Sequence, residues 1–106
     1  MANRFRGEVT LGVNGSDYLL RLTLGALAEL EERLQAGSLL ALVERFEAGT
    51  FTTADLLALL EAGLRGGGCV EMPDLGTASI EGGPVEAARV AARLLARSFS
   101  VSDERV

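Results

Sequence analysis

Few side chains in this chain have the types and spacing that enzyme chemistry requires. The 106 residues include no histidine and no lysine, which excludes histidine-based nucleophilic catalysis, histidine-containing zinc sites and lysine-containing phosphate loops. The adjacent carboxylates Glu31 and Glu32 stand among other charged side chains on a predicted helix, a pattern more typical of a solvated face than of a general acid and base. We therefore expect a protein that is not an enzyme and has no small-molecule substrate.

Cys69 is the single cysteine, so the chain can form no internal disulfide bond and no paired-cysteine metal or redox site. It follows Gly66, Gly67 and Gly68, a run that predicts the end of a helix and a flexible loop. No neighbouring base or cation marks the thiol as activated. We expect no metal and no cofactor, and no catalytic role for Cys69.

Arginines recur every four residues near the end of the chain, at Arg89, Arg93 and Arg97, so they form one stripe along a predicted helix. Val90 and Leu94 project on a third side of that helix. The stripe has two interpretations: a solvated face that the helix dipole favours, or a partner surface in which guanidinium groups meet acidic groups beside the Val90 and Leu94 patch. The core-facing side is predicted to carry Val85, Ala88, Ala92, Leu95 and Phe99.

A leucine-rich helix offers a second candidate partner surface. It is predicted to begin at Thr52 or Thr53, where Thr52 and Asp55 have the spacing of a capping box. Its leucines span an arc of about 160° at about 100° per residue, which is wider than one small packing contact requires. The helix is therefore either central to the core or half of an interface. The leucines are Leu56, Leu57, Leu59, Leu60 and Leu64. Across both helices, the candidate partner-binding residues are Leu56, Leu57, Leu60, Leu64, Arg89, Val90, Arg93, Leu94 and Arg97.

The elements that must position these side chains begin with a predicted β-hairpin around Asn14 and Gly15, two residues that tolerate the positive φ of a tight turn. The apolar residues that alternate on both sides of the turn should share one buried face: Val9, Leu11, Val13, Tyr18, Leu20 and Leu22. The polar residues that should face water are Glu8, Thr10, Asp17 and Arg21. A hairpin alone is marginally stable, so helices must cover it. Its free strand edge would also allow copies of the chain to form a homo-oligomer.

Four helices are predicted after the hairpin. The first runs from the N-cap Thr23 to about residue 35, and the second from the N-cap Ser38 to residue 48. The third ends at Gly66, a glycine-rich loop covers residues 69–83, and Pro84 opens a fourth helix that runs to about residue 98. The predicted core side chains are Leu24, Leu27, Leu30 and Leu34 in the first helix and Leu39, Leu42, Val43 and Phe46 in the second, with Glu29 and Arg33 paired on the outside of the first.

Length and composition indicate one α+β domain, an N-terminal hairpin packed against about four helices at residues 4–99, followed by a flexible tail at residues 100–106. The net charge of −5 argues against nucleic-acid and anionic-membrane partners, since both require a positive surface. No signal peptide and no run long enough to span a membrane is recognisable. We expect a cytoplasmic protein.

Three collinear stretches resemble the small gene transfer agent tail protein family, which is related to phage tail assembly chaperones. They are the hairpin with Asn14 and Gly15, the run RLTLGALAELE at residues 21–31, and the run LLEAGLRGGG at residues 59–68. The resemblance extends over about residues 4–99. Members are encoded among the tail genes of phage-like particles of alphaproteobacteria, so it implies a non-enzymatic role in building the tail. The implied partner is the tape measure protein, the tail tube protein or both.

Two interpretations of that role stay open. A tail assembly chaperone would bind its partner transiently in the cytoplasm of the producing cell, and it would need exposed apolar surface with a charged rim. The alternative is a structural tail tube component that stays in the particle. If both predicted partner surfaces are buried, the chaperone mechanism loses its basis.

Overall fold

A two-stranded antiparallel hairpin followed by four helices makes up the described part of the chain, which confirms the predicted α+β fold. The computed structural model describes residues 7–34 and 38–99. The predicted tail at residues 100–106 and the predicted core side chain of Phe99 lie outside what is described. The elements are β1 (Val9–Val13), β2 (Ser16–Leu20), α1 (Leu24–Arg33), α2 (Leu39–Ala48), α3 (Thr53–Gly66) and α4 (Gly83–Phe99).

The hairpin has the predicted turn and register. Asn14 and Gly15 adopt φ values of 53° and 84°, the positive values of the two-residue turns that match the twist of the strands. Leu11 of β1 stands opposite Tyr18 of β2, as the alternation requires. The buried face carries Val9, Leu11, Val13 and Leu20, with Tyr18 and Leu22 half-buried beside them.

One polar residue at the start of the hairpin is buried, contrary to the prediction. Glu8 is only 5% exposed because the last turns of α4 cover the start of β1. Arg97 Nη1 donates a hydrogen bond to the Glu8 backbone carbonyl there. Thr10 and Asp17 are exposed as predicted, whereas Arg21 is half-buried.

Each of the first three helices begins at a side-chain cap that the sequence predicts. Thr23, Ser38 and Thr52 accept hydrogen bonds from the backbone N–H three residues later, at 3.1, 3.2 and 3.0 Å. The Thr52 N–H also donates to Asp55 Oδ2 at 2.9 Å, which completes the predicted capping box. α2 ends at Gly49, whose φ of 76° lies in the left-handed region that favours glycine.

α3 is the central helix, which decides between the two interpretations of its leucine-rich face. It packs against α1, β2 and α4. Its buried apolar side chains are Ala58, Leu59, Leu60, Ala62 and Leu64. Leu56 and Leu57 are only half-buried. The face therefore belongs to the core except near the start of the helix.

Close approach between α3 and β2 explains the glycine run at the end of α3. A Cβ atom on Gly66 would lie 1.9 Å from the Arg21 carbonyl oxygen, and one on Gly67 would lie 2.0 Å from the Leu19 carbonyl oxygen. The Arg21 N–H donates to the Gly63 carbonyl at 2.9 Å. The missing side chains let the end of β2 lie directly on the backbone of α3, so the glycines do more than end a helix.

Ion pairs join α1 to α3 in place of the pair predicted within α1. Arg33 Nη1 lies 2.7 Å from Glu61 Oε1, and Glu29 is paired with Arg65. The reversed order of these partners shows that the two helices run antiparallel. α1 ends at Arg33, slightly before the predicted end, because Leu34 already adopts an extended backbone.

The sequence predicts Leu24 on the core side of α1, but its side chain is 85% exposed. Leu24 precedes Leu30 by six positions, which places it about 120° away around the helix at about 100° per residue. The inward side of the segment is formed by Ala26, Leu30 and Leu34. The prediction is wrong for Leu24 because the inward face is narrower than the leucine spacing indicates.

Both edges of the hairpin have backbone neighbours. Beside β1, the Asn14 N–H donates to the Ser79 carbonyl at 2.8 Å, and the Glu81 N–H donates to the Gly12 carbonyl at 2.9 Å. Beside β2, α3 occupies the edge at residues 19–21. These contacts cover part of each edge, and the homo-oligomer stays a prediction.

Candidate partner-binding surface

Val90 and Leu94, predicted as an exposed apolar patch, lie in the core with exposures of 1% and 0%. Val85, predicted for the core, is instead 67% exposed, and Ala92 is exposed as well. The inward side of α4 is formed by Ala87, Val90, Ala91, Leu94 and Leu95. The helix is thus rotated about its axis by roughly one residue, about 100°, from the predicted orientation. The prediction of an apolar partner patch on α4 is wrong.

The three arginines of α4 do not act as one stripe. Arg89 is exposed, and its Nη1 lies 2.8 Å from Glu86 Oε1. Arg97 is committed to the backbone carbonyl of Glu8. Arg93 is half-buried and forms no ion pair within the described residues. Most of the predicted stripe is therefore engaged inside the chain.

Of the four predicted partner-binding leucines of α3, Leu56 and Leu57 are half-buried and line an open apolar groove. Leu64 is buried away from this groove, and Leu60, which is also buried, contributes to its lining. The groove has a volume of about 290 Å³ and lies between the first turns of α3 and α4. No charged side chain lines it. Leu56 and Leu57 are the predicted leucines with side chains open to a partner.

One wall of the groove comes from the segment before α4, where sequence analysis predicts only a loop. Leu75, Ala78 and Ile80 supply this wall. The sequence feature that could have indicated this wall is Ile80 shortly before Gly82 and Gly83. The two glycines adopt φ values of 85° and 75°. These glycines allow the backbone to turn sharply from the wall into α4.

A second cavity, acidic in character, lies on the other side of residues 80–84. Its volume is about 380 Å³, and Thr10 of β1 lines it together with three carboxylates, those of Asp17, Glu81 and Glu86. No basic side chain lines it. The apolar groove and this acidic cavity are therefore neighbours that share residues 80–84 as a common wall.

The best-engaged ion pair of the described chain joins α2 to α3. Arg45 Nε and Nη2 donate to Asp55 Oδ2 and Oδ1 at 2.9 and 3.1 Å. These bonds from Arg45, aided by Thr52, hold the pKa of Asp55 below its ordinary value, although burial acts in the opposite direction. The hydrogen bond to Asp55 also raises the pKa of Arg45. Since both Asp55 oxygens are occupied, the pair anchors a helix and offers no free acid or base.

The remaining sequence candidates do not assemble into a chemical site. The Cys69 thiol is half-buried and donates to the Glu71 carbonyl at 3.3 Å. Within residues 7–34 and 38–99, no three acidic or cysteine side chains are arranged to hold a metal ion together. None of the described helices has the length and apolar character that crossing a bilayer demands.

The comparison with known families agrees with the resemblance seen in the sequence. Residues 6–101 match the family described as phage tail tube protein, GTA-gp10. No curated protein and no solved structure matches the chain. The matched range includes the hairpin, all four helices and the glycines that let α3 approach β2. Because the match extends over most of the 106 residues, the chain belongs to the GTA-gp10 family of phage tail tube proteins.

Proposed function

We propose that the chain is a structural component of the tail tube of a phage-like gene transfer particle, and that it acts through protein contacts and not through catalysis. The family match carries this proposal, because the family is described as a tail tube protein. The partners would then be other tail proteins, and the protein would be found in the finished particle.

The burial of the predicted partner surfaces supports a tube component over a chaperone. A chaperone that shields an aggregation-prone partner requires a broad exposed apolar surface, whereas Leu60, Leu64, Val90 and Leu94 are all in the core. Large apolar side chains with high exposure are scattered over separate segments, at Leu24, Leu40, Val70 and Val85. Isolated exposed side chains of this kind are normal on a soluble subunit.

Quantitative mass spectrometry of purified particles tests the proposal. A tube component should be present in a fixed ratio to the other tail proteins in every preparation. Deletion of the gene should leave heads without complete tails under the electron microscope. If the deletion blocks tail formation but the protein is absent from wild-type particles, the tube proposal is wrong.

The open groove at Leu56 and Leu57 favours a second candidate, the tail assembly chaperone. An apolar groove can hold one segment of the tape measure or tail tube protein until assembly. Co-expression provides the test: a chaperone should keep that partner soluble and be recovered with it, and it should be lost when tails are complete. A tube component would instead remain with the tail.

A further inference from the structure

The apolar groove and the acidic cavity lie next to each other, on the two sides of residues 80–84. Ile80 and Pro84 face the groove, and Glu81 faces the acidic cavity. A partner segment that lies across this wall would meet apolar side chains on one side and carboxylates on the other.

The wall is held in place without a partner. The Glu81 N–H donates to the Gly12 carbonyl at 2.9 Å, and the Gly83 N–H donates to the Ile80 carbonyl at 2.9 Å. A Cβ atom on Gly82 would lie 2.5 Å from the Glu86 Cβ, so the turn depends on glycine. A preformed wall reduces the ordering cost of binding.

The charged side chains around the groove and the acidic cavity are mostly acidic. Glu86 is already paired with Arg89, but Asp17 and Glu81 are exposed and form no ion pair among the described residues. Residues 66–88 contain four acidic residues, Glu71, Asp74, Glu81 and Glu86, and no basic residue. A basic segment would complement this surface, and an acidic one would be repelled.

The described part of a second copy of the chain is poorly suited to supply that basic segment. Among the described arginines, those at positions 33, 45, 65, 89 and 97 are engaged by carboxylates or a backbone carbonyl. Only Arg21 and Arg93 of the described chain have no such contact, and both are half-buried. Because the whole chain also carries a net charge of −5, which opposes its attraction to an acidic surface, a different protein is the better occupant.

We propose that the groove and the acidic cavity together bind a cationic amphipathic segment of a partner protein. Its apolar side chains enter the groove at Leu56 and Leu57, and an arginine or lysine beside them reaches Asp17 and Glu81. This inference does not depend on whether the protein stays in the particle, since it concerns the chemistry of the bound segment.

Synthetic peptides test the proposal on the full chain. The probe is a short helical peptide with leucines at helical spacing on one side and arginines beside them, and its matched control carries glutamate at each arginine position. Titration followed by NMR should show chemical-shift changes at the groove and at residues 80–84 with the arginine peptide. Binding of both peptides with equal affinity, or changes confined to other surfaces, would overturn the proposal.

Neutral variants of the acidic residues separate specific contacts from net charge. The double substitution Asp17→Asn and Glu81→Gln should weaken binding of the arginine peptide by about three- to tenfold. The control is Glu32→Gln with Glu44→Gln, which changes net charge equally on exposed positions of α1 and α2. Equal weakening by both double variants would show attraction to overall charge and contradict the proposed site.

A blocking variant tests the apolar half without removing a core side chain. Ala78→Phe adds volume inside the groove and should abolish binding, while circular dichroism verifies that the variant is folded. Unchanged binding by folded Ala78→Phe would place the peptide elsewhere. A concentration-dependent dimer whose interface maps to the groove would assign the surface to a second copy and also overturn the proposal. None of these results bears on the presence of the protein in particles.

Discussion

At Asp55, a helix cap and an ion pair use the same carboxylate. Oδ2 accepts hydrogen bonds from the Thr52 N–H and from Arg45 Nε, both at 2.9 Å. Because these bonds favour the charged form, the pKa of Asp55 is lower in the folded protein than its ordinary value. The carboxylate therefore contributes stability that is present above the unfolded pKa, about 4, and that is lost as the pH falls through the folded pKa.

We expect Asp55→Asn to lower the free energy of unfolding by about 1–2 kcal/mol at pH 7, because charge-assisted hydrogen bonds are lost. The difference from wild type should shrink as the pH falls below about 4, where the wild-type carboxyl also becomes protonated. Urea denaturation followed by circular dichroism over a pH series measures this. Glu44→Gln, an exposed change on α2, should have little effect. A difference that stays constant with pH would contradict the assignment.

Substitution by alanine should have opposite effects on the free energy of unfolding at Gly66 and at Gly25. Alanine normally favours a helix over glycine by about 1 kcal/mol, and Gly25 of α1 has room for it, with Thr23 Oγ1 at 3.9 Å as the nearest atom. At Gly66 the added Cβ would lie 1.9 Å from the Arg21 carbonyl oxygen. We expect Gly25→Ala to raise the free energy of unfolding by about 0.5–1 kcal/mol, and Gly66→Ala to lower it by about 1–3 kcal/mol. Stabilisation by both changes in urea denaturation would disprove the close packing.

At the scale of single elements, the rotation of α4 about its axis determines which of its side chains are buried. Its apolar residues cover a wide arc of the helix on the side away from Arg89, Arg93 and Arg97. This arc is wider than the side that the core buries, so more than one rotation about the axis would bury apolar side chains. Contacts with α3 and β1 select the one in which Val90 and Leu94 face inward. Val85 is left exposed as a result.

Leu94→Ala and Val85→Ala distinguish the observed rotation from the predicted one. We expect Leu94→Ala to lower the free energy of unfolding by about 2–5 kcal/mol, because it leaves a cavity in the core. Val85→Ala should change it by less than about 0.5 kcal/mol. Urea midpoints report both values. If Leu94→Ala left stability unchanged and abolished partner binding, Leu94 would lie on an exposed patch, as the sequence predicts. The observed rotation of α4 would then be wrong.

At the scale of the whole molecule, one apolar cluster includes side chains from the hairpin and from all four helices. The ion pairs of α1 with α3 and of α2 with α3 connect the same elements at the surface. No described element has a separate core of its own. The elements should consequently gain and lose their structure together.

Thermal or urea unfolding should therefore be a single cooperative transition. Far-ultraviolet circular dichroism reports the helices, and the fluorescence of Tyr18, the single tyrosine, reports the hairpin. The two signals should share one midpoint. Separate midpoints would show that the hairpin and the helices unfold independently.

Most of the secondary structure could be predicted, because its causes are local. Alternating apolar residues around Asn14 and Gly15 specify a hairpin and its register, and Thr23, Ser38 and Thr52 cap helices through bonds to backbone three residues away. The candidate site was predictable only in part. Leu56 and Leu57 were identified, but the groove wall at residues 75–80 carries no periodic pattern that sequence analysis could recognise.

Local patterns in the sequence thus suffice for the α+β class and for the resemblance to a tail protein family, and the composition shows a chain without histidine or lysine. Contacts between elements that are distant in sequence determined the other features. These are the rotation of α4, the exposure of Leu24, the cross-helix partners of Glu29 and Arg33, and the wall between the groove and the acidic cavity. The physical reason is that backbone turns and caps depend on neighbours a few residues apart. Which side chains are buried depends on the elements that meet them in space.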